Sequence, residues 1–60
     1  MEDVVEYRDC RLVIAEEDGG YRVRIQPHQG TKVQGCETMK FERRADAVSD
    51  ARDFIDHSLA

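Results

Sequence analysis

Glu16-Glu17-Asp18-Gly19-Gly20-Tyr21-Arg22-Val23-Arg24-Ile25, or EEDGGYRVRI, is the stretch that decides the fold. Successive side chains of a strand point to opposite faces, so Tyr21, Val23 and Ile25 share one side and Arg22 and Arg24 the other. Upstream, Leu12 and Ile14 alternate with Arg11, Val13 and Ala15. If Asp18-Gly19 is a two-residue turn, Ile14 faces Val23 and Leu12 faces Ile25, and both apolar pairs fall on one side of the hairpin. A slip by one residue would set Ile14 against Arg24 and is rejected.

Working outward, the first strand runs over about 7–17 and the second over about 21–26, ended by Pro27, which has no N–H for a ladder. Gln26-Pro27-His28-Gln29-Gly30 reads as a loop, and 31–41 as a third strand with Val33, Met39 and Phe41 in one parity. Gly35 within it predicts a bulge or bend. From about Arg43 the period changes. Ala47, Ala51, Phe54, Ile55 and Ser58 follow helical spacing with Val48 and Leu59 beside them, while Asp46, Asp50 and Asp53 line the other side, predicting a helix over about 43–58. Ala47 and Ala51 permit close approach to a sheet, and Phe54 and Ile55 are expected to supply bulk.

The expected architecture is therefore α+β: a three-stranded antiparallel sheet with one C-terminal helix on the face of Leu12, Ile14, Tyr21, Val23 and Ile25. Residues 1–60 are expected to form a single β-β-β-α domain, with 1–6 a frayed or edge segment. At 60 residues only ~60% of the unfolded surface can be buried, so the core is small. Nine basic and thirteen acidic residues give a net charge of −4. The charge is segregated: 1–18 and 45–60 are acidic, whereas 19–44 hold six bases and two acids. An acidic total opposes bulk DNA binding.

Two cysteines, Cys10 and Cys36, make no disulfide framework, and Met1-Glu2-Asp3 lacks the basic start of a signal peptide. Free thiols and a cytoplasmic setting are expected. No apolar run approaches the ~20 residues of a membrane span, so no membrane partner is expected. Cys10, His28, Cys36 and His57 match no zinc-site spacing, and Gly19-Gly20 lacks the strand-loop-helix setting of a phosphate loop. Asp53 and His57 are four apart on the helix, where His57 is expected to serve as a cation at the C-terminal dipole. No cofactor, metal or catalytic residue is expected, because one sheet and one helix offer little concavity for an active site.

A tyrosine-led hairpin (YR followed by RLVI), a short glycine-containing return, then Phe41 and AVSDARDFID together resemble the HicB-like antitoxin module over about residues 7–56. The resemblance implies a β-β-β-α fold and a small RNA-cleaving toxin as protein partner. No ribbon-helix-helix or helix-turn-helix follows in these residues. Glu42-Arg43-Arg44-Ala45-Asp46-Ala47 stands where that family has Gly-Asp-Thr and then Glu-Glu-Ala.

Two functional readings follow. The first is a noncatalytic protein-interaction module that binds through its sheet, as a homodimer or with a small protein partner. The second is a weak RNA-binding or antitoxin-like module. The candidate contact residues are Arg11, Val13, Arg22, Arg24, Lys32 and Lys40. Sheet readers of RNA set aromatics beside their bases for stacking, and only Tyr7 is expected to be free for that. In the homodimer, Glu16, Glu17 and Asp18 are the expected partners of Arg22 and Arg24.

Overall fold

Two tight turns organise the sheet. In the computed structural model, which describes residues 2–60, Asp18 and Gly19 both take positive φ (45° and 75°), as a type I′ turn requires. The register is the one expected, with Leu12 opposite Ile25 and Ile14 opposite Val23. A second turn of the same kind sits at Arg8 (φ 45°) and Asp9 (φ 65°). It joins β1 (Glu2–Tyr7) to β2 (Cys10–Glu17), which pairs in turn with β3 (Gly20–Pro27).

Among the described residues the sheet therefore has four strands, not three, in the order β1-β2-β3-β4 with β4 over Cys36–Glu37, all antiparallel. Residues 2–7 form the edge strand β1, paired with β2 from Glu2 opposite Ala15 to Tyr7 opposite Cys10. This corrects the expected first strand of 7–17, which the Arg8-Asp9 turn divides.

The expected strand over 31–41 shrinks to β4 (Cys36–Glu37) and a bridge between Tyr21 and Phe41. The segment after His28 is held as a loop: His28 N–H donates to Asp9 O at 2.9 Å, and Val33 is buried without joining a strand. The irregularity expected at Gly35 lies instead at Met39 and Lys40. Thr38 N–H donates to Val23 O at 2.8 Å, and Phe41 exchanges hydrogen bonds with Tyr21 at 2.6 and 2.8 Å. Two residues, Met39 and Lys40, thus oppose Arg22 alone, which is a β-bulge. It turns Met39 out to 74% exposure, away from the parity expected of it. The Thr38 hydroxyl accepts from Val23 N–H at 3.0 Å and so satisfies a donor that regular pairing would have used.

Helix α1 (Arg44–Leu59) follows an extended Arg43 that provides no side-chain cap. It lies over β3 and β2. Ala47, Ala51 and Ile55 are fully buried against Leu12, Ile14, Val23 and Ile25, with Cys10 and Val33 completing the core. Small residues bring the helix axis close to the sheet, so its contact stripe is narrow. Phe54 consequently falls on the flank at 39% exposure; Ile55, not Phe54, supplies the bulk. No helix is long and apolar enough to cross a membrane among the described residues.

Candidate functional site

The face turned away from the helix carries Arg11, Val13, Arg22 and Arg24 together, as expected. By register, Glu2, Val4 and Glu6 of β1, Ala15 and Glu17 of β2 and Glu37 of β4 share it. Lys32 and Lys40 do not join them. Lys32 is in the loop after β3, and Lys40 is in the bulge with its stem against Gly20.

Each arginine on this face meets a carboxylate of the same chain. Arg11 Nε is 3.1 Å from Glu6 Oε2, and Arg24 Nε is 4.0 Å from Glu37 Oε1. Arg22 sits between two acids, with Nε 3.0 Å from Glu17 Oε1 and Nη1 3.8 Å from Glu37 Oε2. Arg22 Nε is buried and too far off line for a hydrogen bond, so its contact with Glu17 is Coulombic. Three arginines against Glu2, Glu6, Glu17 and Glu37 make a chequered face, not a basic one. Val13 is buried although no helix covers it, because the arginine stems and neighbouring side chains roof it. The dimple beside Val13 and Ala15 is about 60 Å³, far below the ~300–1,000 Å³ of a small-molecule site.

Among the described residues no aromatic side chain stands on this face. Tyr7, expected to be free, is engaged on the helix side: its hydroxyl donates to Asp56 Oδ1 at 2.7 Å, and the Arg52 guanidinium lies 4.8 Å from its ring centroid. Arg8 donates to the same Asp56 oxygen at 2.8 Å. These two donors hold the Asp56 carboxyl below the usual carboxylate range.

At the other end of the helix, Arg44 reaches Asp3 Oδ2 at 2.5 Å. The two clamps match in length, since Arg44 to Asp56 is ~18 Å of helix and Asp3 to Arg8 is ~16 Å of strand. They pin β1 to a helix that packs on its neighbours.

Pinned in this way, β1 presents a free edge. Tyr7 and Cys10 close a two-residue turn as a hydrogen-bonded pair, so Asp3, Val5 and Tyr7 direct their peptide groups to β2, and Glu2, Val4 and Glu6 direct theirs outward. The Val4 N–H accordingly finds a side chain, Asp3 Oδ1, at 3.0 Å. Val4 is 52% and Val5 37% exposed. Glu6 receives Arg11 on one oxygen and His28 Nε2, at 2.6 Å, on the other; both contacts hold its carboxyl below the usual range.

Among the described residues the reactive side chains do not gather into a cluster. Cys10 is buried and Cys36 exposed, both are free, and desolvation pushes both thiols up, away from the thiolate a nucleophile needs. Among the described residues no group of three or more His, Cys, Asp or Glu is placed to hold a metal ion.

Of the two alternatives for residues 1–6, frayed or edge, the structure shows the edge at 2–6, paired as a full strand. The signal was Arg8-Asp9, two residues between Tyr7 and Cys10 that close the hairpin without a glycine. No protein-family model, curated protein or solved structure matches this chain.

Proposed function

We propose that this chain is a noncatalytic protein-interaction module that takes its partner as an added strand on the free edge of β1. The observation that carries the reading is the outward row of β1 peptide groups at Glu2, Val4 and Glu6, centred on exposed Val4 and held straight by the clamps at Asp3 and at Tyr7-Arg8. An unpaired edge of six residues offers ~20 Å of template, and main-chain pairing supplies affinity without a pocket. RNA binding through the arginines is the weaker reading, because Glu6, Glu17 and Glu37 already answer them and no base could stack there. A small protein partner is also what the HicB-like resemblance implies.

The test is selection of linear peptides from a random library, followed by amide shift mapping. Recovered peptides should move the amides of Glu2 to Tyr7, and Val4→Pro should abolish their binding. Proline at 4 removes only an outward N–H and spares the ladder to β2. Peptides that map to Arg22, Arg24 and Glu37, or that bind Val4→Pro unchanged, overturn the reading.

A further inference from the structure

Resting on that edge reading, we infer that the added strand is a cationic one: an extended segment of a different protein with Lys or Arg at two positions flanking an apolar residue, each separated by one residue. The charge of β1 argues this. Glu2, Asp3 and Glu6 stand on it and no base does. On the open face the sequence of side chains is Glu2, Val4, Glu6, and cross-strand neighbours stabilise when opposite in charge or both apolar. A cation opposite Glu2, an apolar side chain opposite Val4 and a cation opposite Glu6, which already takes Arg11 and His28 and so draws its cation less strongly than Glu2 does, complete that row. Glu2 makes no ion pair among the described residues, so it is the acid whose full charge meets the partner.

A second copy in the register centred on Val4 fits poorly. Antiparallel pairing about a two-fold centred on Val4 would set Glu2 opposite Glu6 of the other copy, twice, and like charges directly opposite destabilise. The edge also has a guard. Asp3 Oδ1 occupies the Val4 N–H while Oδ2 holds Arg44. An incoming carbonyl can take the Val4 N–H and leave Asp3 with Arg44, so the guard opens without an unpaired carboxylate.

The probes are two blocked peptides, Ser-Lys-Thr-Val-Thr-Lys-Ser and its counterpart with Glu in both Lys positions, titrated into the full chain with amide shifts as readout. The basic peptide should move the amides of Glu2 to Tyr7 and bind at least about tenfold tighter than the acidic one, a difference of ~1.4 kcal/mol. Glu2→Lys, at an exposed and unpaired position, should narrow that ratio, and added salt should do the same. Equal binding of both peptides at β1 refutes the charge inference and leaves strand addition standing. Concentration-dependent shifts of the same amides without peptide make the occupant a second copy and also refute it. Silence of those amides with either peptide removes both the inference and the edge reading beneath it.

Discussion

Tyr7 and Asp56 stand 49 residues apart in the chain, yet the tyrosine hydroxyl donates to the carboxylate at 2.7 Å. Arg8, beside Tyr7, shares the same oxygen, and Arg52 covers the ring from the helix. Helix and edge strand are thus joined by polar contacts at the margin of the core, against which the Tyr7 ring packs. The join also answers a backbone demand, because Arg8 holds φ 45°, a conformation costing a non-glycine residue ~1–2 kcal/mol.

This clamp should be sensitive to acid. The Asp56 carboxyl is held below its ordinary value by Tyr7 and then Arg8. A group whose folded pKa is depressed contributes stability that is present above its unfolded pKa and lost as pH falls through the folded one. Asp56→Asn should therefore lower the thermal midpoint at neutral pH and flatten its decline in acid, as followed by circular dichroism from neutrality downward. An unaltered pH profile would show the contact to be inconsequential.

Gly20 is set by space. A Cβ there would lie 2.7 Å from Lys40 Cγ and 2.9 Å from Phe41 O. Gly20→Ala should destabilise by ~1–3 kcal/mol as the bulged segment is pushed off β3. Adding Lys40→Ala should recover only part, since the Phe41 carbonyl remains. Urea unfolding of the single and double variants checks both statements.

Glu17 and Glu37 mask the arginines. Replacing both with glutamine leaves Arg22 and Arg24 unanswered on an otherwise exposed face, while stability changes by only ~0–1 kcal/mol per exposed pair. The variant should gain salt-sensitive retention on heparin that the parent lacks. Strong retention of the parent would restore the polyanion-binding reading of this face.

Asp3→Ala removes the side chain that occupies the Val4 N–H and the partner of Arg44. The edge becomes easier to reach, so the Lys-bearing peptide should bind more tightly despite the loss of one acid. Tighter binding to Asp3→Ala than to the parent would identify the guard as the larger influence; weaker binding would identify the charge.

The legible parts of the fold were those where local chemistry and alternation agreed. Asp18-Gly19 suits positive φ, and Leu12, Ile14, Val23 and Ile25 admit one register. Arg8-Asp9 makes the same turn without glycine, and the consecutive valines at 4 and 5 break the alternation, so the pattern leaves a frayed segment and an edge strand at 1–6 undistinguished. Over 31–41, parity suggested one strand. Val33 reaches the core from a loop instead, and the bulge at Met39-Lys40 shifts the phase before Phe41. At the candidate site, face alternation grouped Arg11, Val13, Arg22 and Arg24. The acids that answer them were hidden because Glu6 lies across the Arg8-Asp9 turn, which carries no glycine signal, and Glu37 meets β3 only across the loop that follows it.

The two margins of the sheet are unequal: six residues on one side, two and a bulge on the other. Growth of a sheet into a fibre needs a receptive margin at both ends of every unit, so that each newcomer offers a fresh template. Among the described residues the β1 margin offers the longer template. On the proposed strand-addition reading, recruitment through β1 would stop at the first arrival and give a one-to-one complex.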